Sequence, residues 1–290
     1  MIESLMEIPA DRVAEWESRF PRLFHLSWRE RWARIGWVAI FIGLLGLSLW
    51  KMDMNLFRIL QGLGKLGWMF HLLFPPAHHG WLDVYLYSML ETLAMAFLGT
   101  LFASLAAVPL GYLGAKNILP HFAAHFVIRR YFDFVRGVDA LIWALIFINV
   151  VGLGPFAGVL AIAVSDFGVL AKLFAEAIEN VERDQVEGVR ATGAKPMQVM
   201  RYAIWPQVLP VMLSNALYYF ESNTRSATIL GVVGAGGIGT QLADRIRINS
   251  WDEVGFIVLM ILGTVALIDT LSRRIRLRII HPRRYRPEER

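Results

Sequence analysis

Twenty-four consecutive residues, Thr92 to Ala115, pass without one charged side chain, and the run reaches back to about Tyr85 if Glu91 is tolerated. No soluble helix needs so long an uncharged stretch, whereas about 20 apolar residues in helical form cross the ~30 Å hydrocarbon core of a bilayer. Five comparable segments accompany it. Ile35 to Trp50 is slightly short, but Arg34 and Lys51 at its ends can snorkel outward. One begins near Tyr131 and ends at Gly152-Leu-Gly-Pro155, a Gly/Pro break that reads as a tight turn; the next continues to about Glu176. The last two cover about Gln207 to Leu230 and Val254 to Leu271. Because lipid offers no hydrogen bonds, each segment must satisfy its backbone internally, which makes it a helix. The expectation is an all-α polytopic membrane protein with six transmembrane helices.

Composition agrees. Hydrophobic residues are 56% of the chain and charged residues 18%, below the roughly 25% of soluble domains. With no cysteine, disulfides, a thiolate nucleophile and Cys-based metal sites are excluded. The net charge of +5 fits nucleic-acid binding poorly once the Lys and Arg are placed. With the N-terminus inside, 23 of the 29 fall in residues 1–34, 114–136, 172–206 and 273–290, all on one side. The positive-inside rule then puts both termini in the cytoplasm. The stretch before the first apolar run is too long for the n-region of a signal peptide.

Five regions follow: a cytoplasmic segment 1–34, an accessory helix 35–52, an external interfacial segment 53–82 carrying Pro75-Pro76, a helical core 83–272, and a basic tail 273–290. The tail arginines Arg273, Arg274, Arg276, Arg278, Arg283, Arg284 and Arg286 read as topological anchors at the lipid headgroups. No internal repeat is visible, so a two-fold pathway needs a second copy of the chain.

The inward loop 177–206 is the most informative segment. It reads as helix, turn, helix: Gly193 suits a left-handed cap, Pro196 the first turn of a new helix, and Pro206 a boundary at Trp205. The second helix, about ten residues, carries Met197, Met200, Ala203 and Ile204 and is suited to dock in a partner's groove.

Within the span 207–230 lie Glu221, Asn223, Arg225, Ser226 and Thr228. A charge at a helix centre costs roughly 2.5–3.5 kcal/mol on insertion scales. Glu221 and Arg225, four apart, share a helix face and are expected to pair. The remaining polar groups read as a stripe lining a translocation path, with a planar guanidinium matched to an oxyanion. Asp139, Asp166, Glu91 and Asp269 are expected in interhelical contacts or near an interface.

Two patterns point elsewhere and are set aside. Gly234-Ala235-Gly236-Gly237-Ile238-Gly239 satisfies G-x-G-x-x-G, but a dinucleotide fingerprint needs a preceding short strand in a βαβ unit. Here a long apolar segment precedes it, so Gly234, Gly236, Gly237 and Gly239 serve close backbone packing or a re-entrant turn on the outer side. His71, His78 and His79 lack a fourth ligand at useful spacing, so no metal is expected. No Gly-x4-Gly-Lys-Ser/Thr occurs, so ATP hydrolysis is not expected of this chain.

Glu187-Gly188-Val189, Gly193-Ala194 and Ala203-Ile204-Trp205-Pro206 resemble the EAA loop of ABC-importer permeases, with Gly-Val in place of Ala-Ala and Trp205 at the family's Leu position. Val151–Leu160, Val186–Ala194, Phe220–Thr228 and Val233–Gly239 together resemble the phosphonate ABC-importer permease over roughly residues 80–280. That resemblance implies a type I importer fold, a five-helix core plus one N-terminal helix, in a bacterial inner membrane. It implies a homodimer, two cytoplasmic ATPase subunits that carry the ATP and Mg, and an extracytoplasmic phosphonate-binding protein. Glu187, Gly188, Gly193, Ala194, Pro196, Met197, Met200 and Pro206 would form the ATPase-coupling loop. Phosphate, phosphite or methionine permeases share the loop and are the alternative cargo classes; an ion-driven secondary transporter is the alternative from another class.

Overall fold

The computed structural model describes residues 28–52, 56–118 and 121–280; the cytoplasmic segment expected at 1–34 and the tail at 273–290 lie largely outside them. Among the described residues there are helices and turns and no strand. The chain divides into two units, one up to Phe70 and one from His71 onward.

The first unit holds α1 (Trp28–Lys51) and most of α2 (Leu56–Leu72). α1 is exposed and, over the 21 residues Arg31–Lys51, long and apolar enough to cross a bilayer, with Arg31, Arg34 and Lys51 at its ends. Within the segment 53–82, residues Leu56–Leu72 form a helix that ends before Pro75 and Pro76.

The second unit is built from α3 (Leu82–Gly114), α4 (Phe122–Arg136), α5 (Ala140–Val151), α6 (Pro155–Glu179), α7 (Arg183–Ala191), α8 (Pro196–Val199), α9 (Trp205–Leu230), α10 (Ile238–Arg247) and α11 (Trp251–Ile280). Its axis is the α3–α6 pair. Small residues let the two approach closely, as membrane helices require when lipid is as apolar as the side chains. A Cβ at Gly99 would lie 2.7 Å from Ile162, and one at Gly111 2.8 Å from Phe174. Around this pair pack α4, α5 and α9, burying Phe132, Leu170, Phe174 and Met212 toward one end and Met95, Ile162, Ala227 and Leu230 toward the other.

α3, α6 and α11 are each long and apolar enough to span; two further spans are bent pairs. The expected unbroken span from Tyr131 to Gly152 is one of these, α4 and α5 meeting at 81°. Gly137 ends α4, and the Asp139 carboxylate restarts the helix by accepting the Leu141 amide at 2.8 Å, an N-cap that hydropathy does not register. The turn at Gly152 and Gly154 is as expected, both at positive φ, with Pro155 opening α6.

The second correction concerns Pro206. The chain does not break there: a π-helical turn, Met200–Ile204, carries α8 directly into α9, and Pro206 falls in the first turn of α9, where it needs no donor. The ten-residue separate rod expected in the loop is thus the exposed start of the fifth span.

Candidate functional site

Two ends of α9 and its middle carry the polar chemistry. At its start the loop is clamped rather than loose. α6 ends at Glu179, whose carboxylate accepts the Lys116 amide and Arg129 Nη2, both at 2.8 Å. Asn117 Nδ2 donates to the last carbonyls of α6, at Ile178 and Glu179. Gln207 accepts the Glu182 amide at 2.9 Å and donates to the Ala203 carbonyl at 2.8 Å, pinning the two limbs of the loop together. From this base α7 projects with no buried residue. Gly193 takes φ +79° just beyond α7, and Pro196 opens α8, where Gln198 Oε1 accepts the Lys195 amide. Glu187, Gly188 and Met197 are exposed, Ala194 and Met200 half-buried, while Val199 and Ala203 are buried. Glu187 borders a hollow of about 320 Å³ with Arg183, Arg190 and Ile204. The loop therefore offers outward charge, a bare methionine at 197 and a fixed base.

At the other end of α9 a second π-turn, Gly231–Ala235, leads into the glycine turn. Gly234, Gly236 and Gly237 adopt φ of +106°, +81° and +72°, conformations that L side chains resist. Gly239 lies against the backbone of Val232 and Gly231. The chain turns and α10 departs at 57°. Its first amides are held by α3: the Gly237 N–H donates to Glu91 Oε2 and the Ile238 N–H to Thr92 Oγ1, each at 2.8 Å. Glu91 is therefore a helix cap, charge-matched to the N-terminal dipole. Beyond α10, Arg245 pairs with the buried Glu253 at 2.7 Å and stands over the Trp81 ring, and Tyr85 donates to the same carboxylate.

The middle of α9 departs from expectation. Glu221 and Arg225 do not pair with each other. Glu221 accepts from Arg276 Nη2 at 2.7 Å, and Arg225 Nη1 reaches Asp269 at 3.2 Å, so both partners lie on α11. The i,i+4 rule ranks neighbours on a lone helix; a packed helix offering opposite charge at the same level overrides it. Asn223 is not on an open path either. It is buried, and its amide donates to Thr100 Oγ1 at 2.8 Å and to Asp166, joining α9 to α3 and α6. Ser226 and Thr228 are half-buried and return their hydroxyls to α9 carbonyls at Ser222 and Thr224. Of the expected polar stripe, Arg225 alone is exposed. Among the described residues no group of three His, Asp or Glu is set to hold a metal; His79 instead meets Asp252.

Paired helices with polar seams, a clamped loop at one end and a glycine turn at the other are the architecture of a polytopic membrane protein.

The particular family follows from comparison. Residues 107–284 match the family of binding-protein-dependent transport system inner membrane components, and the chain belongs to it: a multi-pass permease of an ABC importer. It is 37% identical over 264 residues to the phosphite transport system permease protein PtxC of Stutzerimonas stutzeri, covering 91% of this chain and 94% of that one. It is 34% identical over 253 residues to the phosphate-import permease protein PhnE of Mycolicibacterium smegmatis, covering 87% and 47%. A solved inward-facing MetNI methionine ABC transporter superposes with a TM-score of 0.61 at 21% identity, covering 70% of this chain and 99% of that one, and agrees in fold.

Proposed function

We propose that this chain is the transmembrane permease subunit of an ATP-driven importer for phosphonates or the related oxyanions phosphite and phosphate. The observation that carries this reading is the 37% identity maintained along almost the whole of a phosphite permease, with 47% identity over 117 residues to a putative cryptic phosphonate permease protein of Escherichia coli. Methionine permeases are more distant, at 28% identity over 200 residues. The chain works as a homodimer in a bacterial inner membrane with both termini cytoplasmic, the side favoured by its Lys and Arg. Two cytoplasmic ATPase subunits bind ATP and Mg and grip the loop through Glu187, Gly193 and Met197. An extracytoplasmic binding protein delivers the anion near the turn formed by Gly234, Gly236, Gly237 and Gly239. This chain supplies the path and the coupling and performs no covalent step.

Alternating access follows from these parts. Closure of the ATPases draws the two loops together; each α9, continuous with its loop, carries that motion toward the glycine turn; the seam between copies opens outward, and hydrolysis resets it. The test is growth and labelled uptake in a cell lacking other phosphorus import, with this chain and its partner subunits supplied. Import of phosphite, phosphate or 2-aminoethylphosphonate that stops when the ATPase is inactivated is the expected result. Import of methionine alone, or import that persists without the ATPase, overturns the proposal.

A further inference from the structure

The two ion pairs between α9 and α11 are built differently. Glu221–Arg276 is close, at 2.7 Å; its side chains are 13% and 24% exposed, the Arg276 guanidinium covers the Tyr218 ring, and Ser272 donates to the Leu217 carbonyl beside it. That is a clasp. Arg225–Asp269 is open. Both contacts, 3.2 and 3.4 Å, come from one nitrogen, Nη1, and the side chains are 47% and 40% exposed. Nη2 and Nε of Arg225 have no partner among the described residues, so most of a five-donor fork is free. The pair also borders uncharged sequence. α11 has no charge between Glu253 and Asp269, and no charge follows Arg225 until Asp244. A half-open charge pair in such helices is costly against hydrocarbon, so its face meets water or another protein surface.

We propose that Asp269 is the resting counter-ion of Arg225, a carboxylate that holds the guanidinium between transport events and is displaced by the incoming phosphorus oxyanion. The inference rests on the proposed function and deepens it by naming the group the cargo must replace. A tetrahedral oxyanion can present two oxygens to the free edge of the fork, whereas Asp269 engages a single nitrogen, so the exchange favours the bidentate ligand while it is present. The released carboxylate remains beside the anion and repels it. The anion is thereby held loosely enough to leave, the condition conduction imposes on any intermediate site. A solute without an anionic group has nothing with which to displace Asp269.

The test uses this chain assembled with its ATPase subunits in nanodiscs, without the binding protein, which would mask the permease's own affinity. Phosphite and inorganic phosphate are titrated while the melting midpoint is followed, with chloride as the ionic-strength control. Asp269→Asn is expected to lower the half-effective phosphite concentration about fivefold, the equivalent of losing a ~1 kcal/mol competing ion pair. Arg225→Lys is expected to abolish the response. The exchange Arg225→Asp with Asp269→Arg separates this from a purely architectural pair: it restores the ligand-free melt, yet leaves uptake and the phosphite response lost. An unchanged or weakened response in Asp269→Asn, or recovery of uptake in the exchange variant, overturns the inference. Wild-type complex with its binding protein is assayed for uptake alongside; if it imports no phosphorus oxyanion, the cargo assignment itself fails, a result distinct from the other two.

Discussion

Asn223→Leu is the sharpest probe of how the helices are held. The amide of Asn223 is the only donor to Asp166 among the described residues, and Asp166 has no cationic partner there. Asp166, Asn223 and Thr100 are all nearly inaccessible, at 7%, 6% and 3% exposure. Leucine fills much the same volume but donates nothing, so a buried carboxyl is left unsatisfied; the loss is about 1–3 kcal/mol for a neutral group and more for a charged one. Thr100 loses less, since its hydroxyl still donates to the Ala96 carbonyl at 2.7 Å. Asp166→Leu strands only the amide, which keeps Thr100 as acceptor, and is expected to cost about 1–2 kcal/mol. The double variant removes both polar ends and restores an apolar seam, so it is expected within about 1 kcal/mol of wild type. The cycle should therefore show a coupling of about 3 kcal/mol, read by reversible unfolding in mixed detergent micelles. Additive single effects, or a cost below about 1 kcal/mol for Asn223→Leu, would refute the claim that this cluster is an isolated structural unit.

Three further outcomes are expected. Glu187→Arg, at an exposed loop position, leaves the melting midpoint of the purified chain unchanged but lowers ATP-driven uptake about tenfold, as loss of an interface hot spot does; uptake at the wild-type rate would argue against coupling through α7. Gly99→Ala places a Cβ 2.7 Å from Ile162 and destabilises the α3–α6 pair by about 1–3 kcal/mol in the same unfolding assay, whereas Gly188→Ala, with open space around it, does not. The hydrogen bond from His79 to Asp252 holds the imidazole pKa above its ordinary value. Folding thus binds the proton more tightly, so the stabilisation is fully present below about 6.5, the unfolded value, and fades as pH rises through the higher folded one; an NMR titration of His79 in Asp252→Asn should show the pKa falling back.

Local chemistry was legible in the sequence at several positions where a residue acts on its own backbone, though not at Pro206, where the helix runs on. The turn at Gly152-Leu-Gly-Pro155, the cap at Gly193, the helix start at Pro196 and the departure from helix at Gly234–Gly237 all follow from φ preferences and missing donors. What failed to show was long-range. Glu221 and Arg225 look like natural partners at four residues' spacing, but the deciding charges, Arg276 and Asp269, are 55 and 44 residues away. Glu91 gave no sign that its carboxylate serves amides 146 positions later, and Gln207 none that it ties the loop shut. The bend at Gly137–Asp139 was hidden for a different reason: hydropathy averages over it, and only Asp139, an acid just before an apolar run, carried the signal of an N-cap.

The π-turn at Met200–Ile204 has a mechanical consequence. Because it joins α8 to α9 without a loop, the helical path runs on from Pro196 to about Val233, where Gly234 leaves helical geometry, about 57 Å at 1.5 Å per residue and nearly twice the thickness of the hydrocarbon layer. A flexible joint at Trp205 would have dissipated a push on the exposed methionine. Under the function proposed above, the continuous helix passes such a push on toward the far end, where Gly234, Gly236 and Gly237 leave helical geometry.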